Sequence, residues 1–183
     1  MKTRLAGSYR FAAFTLLNTA LLLLAVELIA STLLHIPTGQ TATAEHEDYY
    51  ATVSWGADWE RDGGDVPQGY EPFVTWKAKP FRSKVINVDQ SGNRVTPGAD
   101  CRTGSYQVLV LGGSTVWGSG VPDWGTIPAY LQGLMAATRD RPVCVRNLGQ
   151  GGWVSTQGVI ELQRQLQAAE APDLVILYDG PND

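Results

Sequence analysis

Histidine is almost missing from this chain of 183 residues, which holds only His35 and His46. Cysteine is as scarce, with Cys101 and Cys144 alone. No cluster of histidines accompanies the cysteines, so a metal site is not expected. The glycine-rich stretch at 112–118 lacks a Gly-Lys followed by Ser or Thr, and its glycines are not spaced G-x-G-x-x-G. Those absences remove the phosphate-cradling P-loop and the dinucleotide fingerprint, and no cofactor is implied. Basic residues are outnumbered, 14 against 18 acidic, and they are scattered. A nucleic-acid partner would need them gathered on one face, so none is expected. There is no internal repeat.

What is present begins with an apolar run at residues 11–36, free of Lys and Arg. Its 26 residues exceed the roughly 20 that a helix needs to cross a bilayer. Lys2, Arg4 and Arg10 precede it, and cations on that side favour a cytoplasmic N-terminus. Residues 1–36 therefore read as a cytoplasmic stub and a single-pass signal-anchor in the cytoplasmic membrane, with everything after Pro37 extracytoplasmic. A cleaved signal peptide is the rival, since Ala42-Thr43-Ala44 has the small-x-small form of a cleavage site. The run is longer than the roughly 7–15 residues of a signal core, which favours the anchor. A core helix is the plainest alternative, but soluble helices rarely run this long without a polar face. Glu27 is the one acid in the run; it marks a partner helix or is offset by its apolar neighbours. Three of the 14 basic residues precede the run and one of the 18 acidic residues lies in it. The exported remainder thus carries 11 basic against 17 acidic residues, enough net negative charge for solubility.

Residues 37–104 divide into a polar linker, 37–48, and a lead-in rich in Trp, Tyr, Phe, Gly and Pro. The lead-in shows no helical apolar period. Residues 85–89 read as a short strand and Gly92-Asn93 as a turn. Its aromatics pack against the domain that follows or bind sugar; packing is the commoner use. From residue 105 the pattern changes. Residues 108–111 and 174–178 are uninterrupted apolar strands, and residues 143–148 read as a further strand between them. Residues 128–137 and 156–169 read as helices, the first with Ala129, Leu131, Leu134 and Met135 inward, the second with Val159, Ile160, Leu162 and Leu166. Apolar strands alternating with helices imply an α/β domain, a parallel sheet covered on both faces, in three layers.

In such a sheet the loops after the strands' carboxyl ends form the site. The first loop is Leu111-Gly112-Gly113-Ser114-Thr115-Val116-Trp117-Gly118. Its serine either faces the cleft as a nucleophile or merely caps a helix. The second runs from Asn147 through Gly149, Gly151 and Gly152 to Ser155, and a glycine there offers an unobstructed N–H or simply a turn. The third is Tyr178-Asp179-Gly180-Pro181-Asn182-Asp183, where an Asn amide can donate to an oxyanion or serve turn chemistry.

As an ordered set, strand-Gly-x-Ser, strand-Asn-x4-Gly and strand-Gly-x-Asn-Asp resemble the first three blocks of the SGNH (GDSL) hydrolase superfamily, over residues 105–183. The segment from Asn87 to Arg94 also resembles one preceding the catalytic block in membrane-anchored bacterial members. The resemblance implies a flavodoxin-like sheet, β-α-β-α-β so far, preceded by a transmembrane helix. It implies that Ser114 is the nucleophile and that Gly152 and Asn182 furnish the oxyanion hole. The three strands would lie in the order second, first, third, with those residues at one edge. Cys101 and Cys144 would then share the opposite edge, where an oxidising compartment permits a disulfide; two unpaired, partly buried thiols are the alternative. The family's Gly-Asp-Ser reads Gly112-Gly113-Ser114 here, and the replaced Asp is no triad member.

The implied chemistry is acyl transfer through an acyl-serine. The substrate would be an ester-bearing small molecule, lipid or polysaccharide, and the membrane a partner through the N-terminal helix. An O-acyltransferase of surface glycans uses the same intermediate. The family's Asp-x-x-His block is missing, and neither His35 nor His46 stands at a motif position. The chain therefore reads as a fragment of an esterase, nearly inactive as it stands, or as a catalytically dead, membrane-tethered binding module.

Overall fold

The computed structural model describes residues 2–34, 49–63, 66–168, 171–180 and 182–183. The chain divides into two units, Met1–Asp48 and Tyr49–Asp183.

In the first unit the apolar run is a helix, α1 (Lys2–Leu34), dominated by the good helix formers Leu and Ala. Its segment Phe11–Thr32 is long and apolar enough to cross a membrane. Side chains 11–29 are all exposed, unlike those of a core helix. Thr15, Thr19 and Thr32 turn their hydroxyls onto the carbonyls of Phe11, Thr15 and Leu28 at 2.9, 2.9 and 2.8 Å. These hydroxyls are thus satisfied within the helix. Glu27 is exposed. His35, Ile36 and the linker, with His46 and Ala42-Thr43-Ala44, fall outside the described residues.

The second unit opens on a helical turn at residues 49–52 and a short helix, α2 (Gly56–Asp62), where the lead-in showed no helical period. Tertiary contacts stabilise it: Trp55 and Trp59 pack on the buried cluster of Ala78, Val85, Ile86, Val88 and Trp117. A hairpin follows, β1 (Gln68–Glu71) against β2 (Thr75–Ala78), antiparallel, with Tyr70 opposite Trp76. Then β3 (Phe81–Arg82) pairs with β4 (Asn87–Val88). The strand expected at 85–89 shrinks to two residues because Ser83 holds a turn before it: its Oγ accepts from the N–H groups of Val85 and Ile86 at 3.2 and 2.9 Å. Gly92 takes φ 76° in the expected turn.

The parallel sheet consists of β5 (Tyr106–Gly112), β6 (Val143–Asn147) and β7 (Leu174–Tyr178), in the order β6-β5-β7. Between them lie α3 (Ser114–Trp117), a 3-10 turn at Asp123–Gly125, α4 (Ile127–Ala136) and α5 (Ser155–Ala168). One sheet face, Val108, Val110, Val143 and Val145, receives Leu131 and Met135 of α4. The other, Leu109 and Leu111 with Leu148, receives Leu162 of α5. Alternate residues of β5 point to opposite faces, so a strand apolar throughout is buried twice.

Two helix faces differ from their expected composition. Leu134 is exposed, and α4 instead buries Gln132. That amide donates to the carbonyls of Gly98 and Val143 and accepts from Val145 N–H, binding helix to sheet edge. In α5, Val159 and Leu166 are exposed while Gly158 and Glu161 are buried. Glu161 Oε1 lies 2.9 Å from Lys77 Nζ, both side chains nearly sealed from solvent. This ion pair fixes the hairpin to α5, and Arg164 pairs with Glu71 beside it. The lead-in thus packs on the sheet domain rather than extending from it. Cys101 and Cys144 form a disulfide, Cα to Cα 4.7 Å, at the amino-terminal edge of the sheet.

Candidate active site

Strand β5 ends in Gly112, whose carbonyl accepts from Gln150 N–H at 3.1 Å. A Cβ on Gly112 would stand 2.2 Å from the Tyr178 carbonyl oxygen, so the close approach of β7 requires glycine there. Gly113 is the N-cap of α3 and Ser114 its first residue, with no side-chain capping bond. The N-cap position thus belongs to Gly113 and not to Ser114. Its side chain is half-buried beside a shallow cleft that Thr115, Ser119, Thr126 and Ile127 also line.

The loop after β6 comes back across this turn. Asn147 Nδ2 donates to the Val116 carbonyl at 2.9 Å, and its Oδ1 accepts from Gly149 N–H at 3.0 Å. A buried amide here thus clamps α3 to the loop that holds the glycines. Gly149 packs so close to Val116 and Trp117 that a Cβ would meet Trp117 N at 2.5 Å. Gln150, also buried, donates to the Gly92 carbonyl at 2.7 Å and accepts from Ala78 N–H at 3.0 Å. Gly152 takes φ 74°, a left-handed conformation that favours glycine, and a Cβ there would meet only open space. Its backbone is approachable.

The loop after β7 brings in Asn182. Its Nδ2 donates to the Trp153 carbonyl at 3.0 Å. A Cβ on Gly113 would fall 2.7 Å from Asn182 Nδ2 and 3.0 Å from Trp153 O. The missing side chain at Gly113 therefore makes room for the Asn182 amide next to Ser114. Ser114, Gly152 and Asn182 follow three adjacent parallel strands, at one edge of the sheet.

Asp183 Oδ1 accepts from Ser155 N–H at 2.7 Å, at the first residue of α5. An anionic side chain at a helix N-terminus is favourable and fixes the end of the loop. Asp179 stands before Gly180 with its Oδ1 buried and unbonded. Burial, helped by the charge of Asp183, raises its carboxyl above the usual range.

Arg94 supports the site from below. Its fully buried side chain donates to Asp123 Oδ1 at 2.9 Å and to the carbonyls of Trp117, Gly118 and Val121 at 3.0, 2.7 and 2.7 Å. Asp123 in turn accepts from Asn87 N–H and Nδ2. The lead-in strand thereby holds the segment after Ser114. Sequence reading singled out neither Arg94 with Asp123 nor Gln150 as supports, and only the wish to pair a buried charge could have hinted at the first. Among the described residues no group of His, Cys, Asp and Glu could hold a metal ion. No protein-family model matches the chain, and no curated protein matches it.

Proposed function

We propose that this chain carries the nucleophile and oxyanion half of an SGNH-type serine ester hydrolase, held outside the cytoplasmic membrane by α1. The observation that carries the reading is the placement of the Asn182 amide against Gly113, one residue from Ser114, by way of the Trp153 carbonyl. Ser114 Oγ attacks an ester carbonyl as its proton passes to a general base. The tetrahedral oxyanion accepts hydrogen bonds from the N–H groups of Ser114 and Gly152 and from Asn182 Nδ2, each such donor being worth about 3 kcal/mol. The alcohol leaves, and water releases the acid from the acyl-serine. Added imidazole supplies a base for the serine proton in the test.

The test is acetylation of Ser114 by p-nitrophenyl acetate in the presence of imidazole, read by peptide mass. The expected result is an acetyl group on Ser114 that disappears in Ser114→Ala and falls steeply in Asn182→Ala. Acetylation that spares Ser114 in the unaltered chain, or that is undiminished at Ser114 in Asn182→Ala, sinks the reading. For the anchor, Lys2, Arg4 and Arg10 would lie inside and residues 37–183 outside. A reporter fused after residue 60 should be active only in an extracytoplasmic setting, and a cytoplasmic signal would reverse the topology.

A further inference from the structure

The sheet face beneath α5 is apolar for only part of its length. Alternation along β5 puts Gln107, Leu109 and Leu111 on that face. The parallel register sets Cys144 beside Gln107 and Arg146 beside Leu109. Toward the carboxyl ends of the strands the layer is apolar: Leu109, Leu111 and Leu148 pack with Leu162 of α5. Toward the amino ends it turns polar, with Gln107 and Arg146 on the strands and Gln165, one helical turn past Leu162, on α5. There the helix does not close on the sheet. A cavity of about 460 Å³ opens instead, and those three side chains line it with Leu109. A sheet covered by helices is expected to be apolar on both faces, so packing leaves this polar half unexplained.

Arg146 and Gln107 also line a second cavity, of about 430 Å³, whose far wall is the lead-in. Asn93 and Thr96 stand on that wall, 3% and 8% exposed. Both polar atoms of the Asn93 amide and the Thr96 hydroxyl lack a hydrogen-bond partner among the described residues. Buried polar groups are ordinarily bonded, and unbonded ones call for a partner.

The charges of the groove are unevenly matched. Arg141 lies 2.5 Å from Asp173, and Arg102 lies 3.2 Å from Asp100. Asp173 also accepts from Gln107 N–H at 2.8 Å. Asp89, the acid lining the second cavity, accepts from the N–H groups of Ser91 and Asn93 at 2.8 and 2.9 Å. The acids on both walls are therefore occupied. Arg146 is partly buried and has no carboxylate or other acceptor among the described residues. A guanidinium drawn under a helix without an anion is costly, and its planar fork matches an oxyanion with two parallel bonds.

We infer that this groove binds a small polar ligand through one oxyanion, a carboxylate or a phosphate, seated on Arg146. A cation would meet Arg102, Arg141 and Arg146 against Asp173 alone in the first cavity. An apolar ligand would leave the guanidinium unpaired. The groove shares no residue with the cleft at Ser114, so the inference does not depend on the hydrolase reading.

The experiment titrates the full chain in dodecyl maltoside with D-glucuronate and with glycerol 3-phosphate, by calorimetry. D-glucose and glycerol serve as their neutral counterparts. At least one anion should bind, and neither neutral compound should. Arg146→Gln should weaken that binding about tenfold or more, as loss of a charge-assisted pair does. Lys84→Gln removes an exposed cation outside the groove and should bind as the unaltered chain does. Phenylglyoxal labelling, read by peptide mass, reports on the same contact without a substitution. The bound anion should slow it at Arg146 and leave the exposed Arg61 unchanged. Binding of glucuronate alone would support the carboxylate form of the inference, and of glycerol 3-phosphate alone the phosphate form. No binding of either anion, equal affinity in Arg146→Gln, an equal loss in Lys84→Gln, or an unprotected Arg146 overturns it.

Discussion

Arg94 and Asp123 form an ion pair at 2.9 Å, with side chains 0% and 5% exposed. Each arm of the guanidinium beyond Asp123 ends on a backbone carbonyl of the segment after Ser114. The pair is therefore fully hydrogen-bonded, the condition under which buried charges are tolerated.

Removing one partner leaves the other buried and uncompensated. Arg94→Ala should lower stability by about 3–5 kcal/mol, read from the urea midpoint of the full chain in detergent. Arg94→Lys should recover little, because an ammonium cannot reach four acceptors as a planar fork does. A loss under about 1 kcal/mol for Arg94→Ala would show that the pair contributes no more than an exposed one.

The disulfide closes a loop across a sequence separation of 43. Opening it releases chain entropy in the unfolded state, and Cys101→Ser with Cys144→Ser should destabilise by about 4 kcal/mol. Non-reducing peptide mapping should find the linked pair, and thiol titration of the denatured chain should find no free cysteine. Two titratable thiols would contradict the pairing.

Asn147 fills its amide with the Val116 carbonyl and the Gly149 N–H. Asn147→Asp replaces the donor with an oxygen facing an oxygen, and it should cost about 1–3 kcal/mol. The loss should be greater than for an exposed substitution such as Gln163→Glu, measured side by side in urea. Equal effects would place the clamp elsewhere.

Asp179 is expected to make stability fall as pH rises. Its folded carboxyl is raised above its unfolded value by burial and by Asp183, so the folded state holds the proton more firmly. Between the unfolded and folded values, raising pH removes that advantage, and above the folded value the penalty is complete. Asp179→Asn should therefore stabilise the chain at neutral pH and flatten this part of the profile. An unchanged profile would mean the carboxyl is solvated in the folded protein.

The parallel strands, their helices and the apolar anchor helix were legible because each announces itself locally. The strand at 108–111 is apolar on both faces and is buried between layers, the equally apolar strand at 174–178 is covered only in part, and the run at 11–36 has no polar face. The order β6-β5-β7 and the cysteine pairing followed from a family resemblance, not from periodicity. Leu177, 49% exposed, shows how an apolar strand can still be partly uncovered.

Helix α2 and the β1–β2 hairpin were not legible, because long-range contacts stabilise them. Trp59 packs in a cluster with residues near 78–88 and 117, and Lys77 finds Glu161 across 84 positions. Gln132 and Gln150 look like surface residues in the sequence, yet both are buried because distant backbone groups need their amides. The sequence by itself determined where the parallel strands lie, where the helix able to span a membrane lies, and that Ser114, Gly152 and Asn182 would follow strand ends. Only the tertiary structure decided that the lead-in would supply Arg94 and an aromatic hairpin to that edge, because a contact between distant segments leaves no periodicity in either of them.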